Sequence, residues 1–118
     1  MNVRLESLGL ATVVIPEGRL DFGAAAGFQA QLEQVLAGAG SKATGVIIDC
    51  ARLDYVSSAG LRVFLLAARA SQRAGHAFAI CALAPAVREV FDVSGFSRII
   101  AVYGDRAAAL AQTPLRTA

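Results

Sequence analysis

Residues 45–61 read GVIIDCARLDYVSSAGL, an apolar run followed by a polar loop and the first turn of an amphipathic segment. The run Gly45–Asp49 stays apolar up to its last residue, which is typical of a central strand covered on both faces. The loop then places two adjacent hydroxyls, Ser57 and Ser58, where a helix is predicted to begin. A helix N-terminus has unpaired N–H groups and the positive end of the helix dipole. This stretch therefore predicts a strand, a loop and a helix start that suits an anion such as phosphate.

The segments on either side alternate between strand-like and helix-like patterns. Before it, Val3 and Leu5 alternate with polar residues and residues 11–15 are mostly β-branched, which predicts two strands joined by a turn near Gly9. The other predicted elements are a helix ended by the loop 38–41, the strand 45–49, a helix 59–74 ended by Gly75, a strand 77–81, a helix from Pro85 closed by Gly95, a strand 99–102, and a helix capped by Asp105.

This order, β-β-α-β-α-β-α-β-α, predicts an α/β fold. Its sheet is expected to be mixed but mostly parallel, with about five strands, an antiparallel N-terminal edge strand and about four α-helices. Apolar spacing marks the helix faces expected to be buried. The residues expected to point inward are Phe28, Leu32, Val35 and Leu36, then Leu61, Phe64, Leu65 and Ala68, then Val87, Val90 and Phe91. Arg62, Arg69 and Arg73 share the other side of the second helix, as a solvated face or an interface.

Length and composition predict one domain over residues 1–118, with a core at about 10–112 and a loose tail at 113–118. No run reaches the ~18 consecutive apolar residues of a membrane span, and the N-terminus lacks a signal-peptide pattern. A cytoplasmic protein without membrane insertion is expected. The 11 basic and 9 acidic residues are scattered, which argues against a nucleic-acid surface. Cys50 and Cys81 are expected to be buried free thiols.

Enzymatic chemistry fits the sequence poorly. Ser58-x-Gly60 follows a strand as in a nucleophile elbow, but Val56 stands where that motif needs glycine. The only histidine, His76, is a helix length from Ser58, roughly 27 Å at a rise of ~1.5 Å per residue. The sequence has no phosphate-binding glycine motif and no cluster of metal ligands. We therefore expect a non-enzyme without metal or cofactor, and Ser57 and Ser58 are N-caps in the simplest interpretation.

Landmarks within about residues 10 to 112 resemble the STAS domain of the anti-sigma factor antagonist family. Gly-Arg-Leu-Asp at 18–21 resembles the family's Gly-x-Leu/Ile-Asp after the second strand. Residues 46–49 followed by 53–61 resemble its central strand and phosphorylation loop, and 85–91 with 94–96 resemble its third helix and exit turn. Three landmarks in order over the length of one domain make the resemblance specific, and it implies a single STAS-like domain.

The resemblance implies a partner switch. In that family the unphosphorylated antagonist binds a kinase-type anti-sigma factor, which then releases a sigma factor. The same partner uses ATP to phosphorylate a serine at the start of the second helix, the complex separates, and a phosphatase resets the system. Ser58 aligns with that serine. The loop departs from the family's Asp-Ser-Ser/Thr-Gly pattern, with Ser57 in place of the aspartate and Ala59 in place of the next hydroxyl, so Ser57 is a second candidate acceptor.

The residues around Ser58 are the expected partner-binding set: Asp21, Asp54, Tyr55, Val56, Ser57, Ala59, Gly60 and Arg62. Local roles stay open for several of them, because Asp21 is also a suitable helix cap and Tyr55 and Val56 also suit loop packing. An alternative function stays open too. The apolar composition and the missing aspartate before Ser58 also suit a STAS scaffold, or an accessory subunit of a transport complex, that is not phosphorylated.

Overall fold

Six strands form one mixed sheet in the computed structural model, which describes residues 1–37 and 44–113. The strands are β1 (Asn2–Leu8), β2 (Ala11–Leu20), β3 (Gly45–Asp49), β4 (Leu53–Val56), β5 (Ala77–Cys81) and β6 (Ala101–Tyr103). Their order is β1-β2-β3-β5-β6, and β4 pairs with the far end of β2. β1 is antiparallel to β2 and every other pairing is parallel. The predicted mostly parallel sheet with an antiparallel N-terminal edge is confirmed.

The helices lie unequally on the two faces of the sheet. They are α1 (Phe22–Ala37), α2 (Ser58–Ala74), α3 (Pro85–Val93) and α4 (Arg106–Gln112), and a short 3-10 turn, Phe96–Arg98, follows α3. The first three helices cover one face, where alternate strand residues such as Val14, Ile48 and Ile80 are buried. α4 covers the other face, where Ala109 packs on Val13 and Ile47. The four predicted helices are confirmed.

Aromatic rings connect the three helices of the larger face. The rings of Phe28 in α1 and Phe64 in α2 have centroids 6.0 Å apart at 85°. Phe64 lies 5.7 Å from Phe91 of α3, and Phe91 lies 5.8 Å from Phe96 in the 3-10 turn. Such edge-on and tilted pairs add to the free energy gained by burial. This row fixes α1 and α2 against each other, and their N-termini frame the site described below.

β4 is absent from the predicted elements, and β2 is longer than predicted. β2 pairs with β3 only as far as Val14 and with β4 from Gly18 onward. Pro16, which has no N–H to donate, lies between the two pairings. The backbone has a register shift between Gly18 and Arg19, and Gly18 has φ +100°. The sequence did not predict β4 because four residues of mixed polarity give no periodic signal, and only pairing with β2 makes them a strand.

Some helix residues predicted to point inward are less buried in the structure than expected. The buried residues of α2 are Gly60, Val63, Phe64, Ala67 and Ser71, whereas Leu61, Leu65 and Ala68 are only partly buried. Val90 is 44% exposed because the buried face of α3 is narrow and includes only Val87 and Phe91. The prediction for Val90 is therefore wrong. Besides Val63 and Phe64, the buried face of α2 includes the small residues Gly60, Ala67 and Ser71, which apolar spacing alone does not predict.

The C-terminal part differs in detail from the prediction. The last strand begins at Ala101, and Ile99 is 60% exposed because its N–H closes the 3-10 turn onto the Phe96 carbonyl at 3.0 Å. Thr113, assigned by sequence to the loose tail, is buried and its N–H donates to the Ala109 carbonyl at 2.9 Å. The rest of that tail and the predicted loop 38–41 lie outside the described residues.

Candidate functional site

α1 and α2 begin side by side because the two strands before them end in register. Leu20 of β2 and Val56 of β4 are parallel partners. Each chain then turns into a helix, and the Ser57 N–H donates to the Leu20 carbonyl at 2.9 Å across the junction. Both positive helix ends therefore face the same patch of surface.

Gly60 sets how closely α2 approaches the end of β2. A Cβ at Gly60 would lie 2.7 Å from Leu20 Cγ and 2.9 Å from the Leu20 carbonyl oxygen, closer than real side chains approach. Only a residue without a side chain fits there. Gly60 is buried, so its contact is with Leu20, and we assign it to the support of the site rather than to its surface.

The two serines occupy different positions at the helix start. Ser57 is the N-cap, with extended backbone (φ −81°, ψ 172°) and a hydroxyl that accepts from the Gly60 N–H at 3.2 Å. Ser58 is the first helical residue and is exposed. Within the described part of the chain, the Ser58 hydroxyl and the Ser58 and Ala59 N–H groups have no hydrogen-bond partner. The N-cap interpretation therefore applies to Ser57, and Ser58 presents a free hydroxyl beside free amides.

The two carboxylates predicted near Ser58 stand in different settings. Asp21 caps α1, since its Oδ1 accepts from the Ala24 N–H at 2.9 Å, and it remains exposed. Asp54 is exposed on β4. Asp21 thus lies at the start of α1, whereas Asp54 lines a groove with Leu61 of α2 and Val87 of α3. Carboxylates therefore accompany the helix dipoles at this end of the sheet.

Tyr55 is held by an arginine that the sequence did not single out. The Arg19 guanidinium carbon lies 4.2 Å from the centroid of the Tyr55 ring, within range of a cation–π interaction. The two residues are parallel partners in β2 and β4. Tyr55 remains 40% exposed, whereas Val56 is partly buried against the core. Val56 therefore fits the loop-packing interpretation, whereas the exposed ring of Tyr55 is accessible to a partner.

Phe22 is the most exposed large apolar residue in the described part of the chain, at 84%. It starts α1 and lines a groove of about 410 Å³ between the first turns of α1 and α2, together with Ala59 and Arg62. Phe22 is not among the residues predicted from the sequence to bind a partner. The available signal was its position off the buried stripe of α1, directly after Asp21.

A sequence model of the STAS domain matches residues 2–109. The chain belongs to the STAS domain family. Over 66 residues this STAS domain is 50% identical to a candidate anti-sigma factor antagonist, BtrV, of Bordetella bronchiseptica. That match covers 56% of this chain and 57% of BtrV, so the chain spans just over half the length of this relative.

Solved structures share the fold of this STAS domain. An anti-sigma factor antagonist from Mycobacterium paratuberculosis is 20% identical, with a TM-score of 0.83 over 93% of this chain and 91% of that one. The Bacillus cell fate determinant SpoIIAA in its phosphorylated form is 21% identical, with a TM-score of 0.71 over 94% of this chain and 98% of that one. These likenesses concern the architecture, in which four helices surround a mixed sheet.

His76, the histidine that could serve as a catalytic base, lies at the opposite end of α2 from Ser58 in this STAS domain. His76 follows the C-terminal end of α2, where its N–H donates to the Ser71 carbonyl at 2.8 Å. Across residues 1–37 and 44–113, no three His, Cys, Asp or Glu side chains are grouped so as to hold a metal ion. No helix of that same part combines the length and apolar character needed to span a membrane. The structure thus brings together Asp21, residues 54–60 and Arg62 and leaves His76 apart.

Proposed function

We propose that this STAS domain is an anti-sigma factor antagonist that binds a kinase-type anti-sigma factor and is released when Ser58 is phosphorylated. The observation that carries the proposal is the exposed Ser58 hydroxyl at the first position of α2, directly after the cap residue. The name of the BtrV relative and the family motif around Ser58 support the same class of function. The domain acts by binding and release rather than by catalysis.

Phosphorylation of Ser58 should leave the fold intact. A phosphate adds about −1.5 to −2 charges, and a helix N-terminus stabilises negative charge through its dipole and free amides. The Ser58 and Ala59 amides are without partners among the described residues, so they offer the new oxygens hydrogen bonds. The Ser57 hydroxyl already serves as the cap, so adding phosphate to Ser58 removes no structural contact.

The same phosphate should weaken a bound partner. We infer that the partner covers Ser58 together with the partly buried Ala59 and the exposed neighbours of this surface: Asp21, Phe22, Asp54, Tyr55 and Arg62. A dianion enclosed by such an interface loses its hydration and faces Asp21 and Asp54. Badly paired interfacial charges cost several kcal/mol, and ~4 kcal/mol is already a thousandfold in affinity. A phosphatase acting on phosphoserine 58 would restore binding, and the cytoplasm is the compartment this cycle implies.

Capture experiments with three serine variants test the proposal. Wild type should retain an ATP-dependent protein kinase from a lysate of the source cells, and Ser58→Asp should not. With the captured kinase and MgATP, mass spectrometry should find one phosphate on Ser58 in wild type and in Ser57→Ala, and none in Ser58→Ala. Ser94→Asp is the matched control, because Ser94 is exposed at the C-terminal end of α3, away from the start of α2. This variant should bind as wild type does.

Two outcomes would contradict the proposal. The first is equal phosphorylation of Ser58→Ala, which would assign the acceptor elsewhere, with Ser57 the next candidate. The second is capture of the same proteins by wild type and Ser58→Asp. That result, with transporter subunits among the captured proteins, would favour the alternative of a scaffold or transport accessory that is not phosphorylated, to which the missing aspartate before Ser58 points.

A further inference from the structure

β1 is an open edge of the sheet. It pairs with β2 on one side, and the order β1-β2-β3-β5-β6 places no described strand on its other side. A strand paired on one side only leaves half of its N–H and C=O groups facing outward, ready to pair with another strand. Apolar side chains accompany this edge, since Met1 is 44%, Leu5 57% and Leu8 38% exposed. Proteins usually protect such an edge with proline, a bulge or charged side chains. β1 has no proline and no bulge, and its two charged residues are Arg4 and Glu6.

The sequence of β1, NVRLESL, is complementary to itself about Leu5. If two copies pair antiparallel with Leu5 opposite Leu5, Arg4 of each copy stands opposite Glu6 of the other. Opposite charges in directly facing positions stabilise a strand pair, and like charges destabilise it. Centring the pair on Arg4 or on Glu6 instead would place like charges opposite each other. The charges that would discourage pairing with an unrelated strand therefore favour one register with a second copy.

The ion pairs within one copy leave room for this arrangement. Arg4 and Glu6 stand opposite Ile15 and Val13 of β2, so both side chains lie on the face covered by α4. Arg4 Nε is 3.2 Å from a Glu17 oxygen, and Glu6 Oε2 is 2.7 Å from Arg106 Nη1. The Arg4 side chain is still 64% exposed and that of Glu6 45%. A second copy would join these pairs into one alternating row of charges across the interface.

We propose that two copies of this chain associate through their β1 strands about a two-fold axis at Leu5, which makes one continuous sheet. The contact is isologous, because each copy contributes the same strand. Seven residues per copy bury less than the ~1,600 Å² of a standard interface, so the dimer is weak, with a dissociation constant in the micromolar range. The surface around Ser58 lies at the carboxyl ends of β2 and β4, so the dimer does not depend on the proposed phosphorylation.

Disulfide cross-linking tests directly whether the two β1 strands pair in the register centred on Leu5. Facing residues in an antiparallel pair have Cα atoms about 4.5–5.5 Å apart, inside the range in which a disulfide closes. Leu5→Cys should therefore form a covalent dimer under mild oxidation. Ser7→Cys is the matched control, because Ser7 is exposed on the same face of β1, yet the two introduced thiols would stand roughly 13 Å apart along the strands. Cys50 and Cys81 are buried and free, so they do not compete.

Charge reversal provides a second measurement, by sedimentation over a micromolar concentration series. Arg4→Glu brings a carboxylate against Glu6 of the second copy and should raise the dissociation constant at least tenfold. The double variant Arg4→Glu/Glu6→Arg should restore association. Arg52→Glu is the control, because Arg52 also contacts Glu17, at 3.1 Å, but lies outside β1, and it should leave the dimer unchanged. A monomer at every concentration, equal cross-linking of Ser7→Cys, or association unaffected by Arg4→Glu would overturn the proposal.

Discussion

At the scale of single residues, the two adjacent serines have separable roles. Ser57→Ala removes the hydroxyl that accepts from the Gly60 N–H, so we expect a loss of about 1 kcal/mol in the free energy of unfolding. Ser58→Ala removes an exposed hydroxyl and should stay within about 0.5 kcal/mol of wild type. Urea unfolding of the two variants measures both values. Equal losses would mean that both hydroxyls support the helix start, which would remove the structural distinction between them.

Gly60 is a position where alanine should be worse than glycine inside a helix. Alanine is normally favoured there by about 1 kcal/mol, but a Cβ at Gly60 would lie 2.7 Å from Leu20 Cγ. We expect Gly60→Ala to lower the free energy of unfolding by about 1–3 kcal/mol, the usual cost of overpacking. Gly27→Ala in α1 is the control, because nothing lies within 4 Å of its added Cβ, and it should stabilise. A stable Gly60→Ala variant would show that α2 moves away from Leu20 without cost.

At the scale of elements, the paired starts of α1 and α2 create a surface that neither helix has alone. Phe22 projects from it at 84% exposure, and exposed aromatic residues are frequent anchors of protein interfaces. Phe22→Ala should leave the free energy of unfolding within about 0.5 kcal/mol of wild type and weaken partner binding about tenfold or more. Isothermal titration with the captured partner measures the binding, and urea unfolding measures the stability.

Val93→Ala is the matched control for that prediction. Val93 is also highly exposed, at 83%, but it ends α3, and the helices of this fold begin at the edge that contains Ser58 and run away from it. The variant should bind as wild type does. If Val93→Ala and Phe22→Ala weaken binding equally, the partner does not select the starts of α1 and α2.

The elements also show which features can be predicted from the sequence and which cannot. Ser57, Ser58 and Asp21 could be placed in advance, because caps are local features and each precedes a strong apolar stripe. β4 could not, since its strand character comes from pairing with β2. The stacking of Arg19 on Tyr55 and the groove beside Phe22 likewise depend on which elements become neighbours. Local signals therefore predict the two serines and the start of their helix, and tertiary pairing supplies the surface around the proposed phosphoacceptor.

At the scale of the whole molecule, the sheet separates two apolar clusters of different size, and each contains one cysteine. Cys50 belongs to the larger cluster under α1 to α3, and Cys81 belongs to the smaller cluster under α4. Burial, reinforced by the nearby Asp49 carboxylate, raises the pKa of the Cys81 thiol from its usual 9.0 to about 12. Burial also raises the pKa of Cys50 well above its usual value. Both thiols should therefore react slowly with alkylating reagents in the folded protein.

Because of these raised pKa values, the free energy of unfolding should fall at alkaline pH. Above about pH 9 the unfolded chain loses thiol protons that the folded chain still retains, up to about pH 12 in the case of Cys81. The raised pKa of Cys50 acts in the same direction. The unfolded state then binds fewer protons, so the free energy of unfolding falls as pH rises, by up to about 1.4 kcal/mol per pH unit for each thiol. Below about pH 9 both states keep the protons, so the thiols do not make the free energy of unfolding depend on pH.

Urea unfolding from about pH 7 to about pH 10 should show this alkaline loss of stability in wild type. Cys50→Ala/Cys81→Ala should be less stable at neutral pH because it leaves cavities, but it should lose less stability on going to alkaline pH. Parallel curves for the two proteins would show that the thiols are not the source of the alkaline loss.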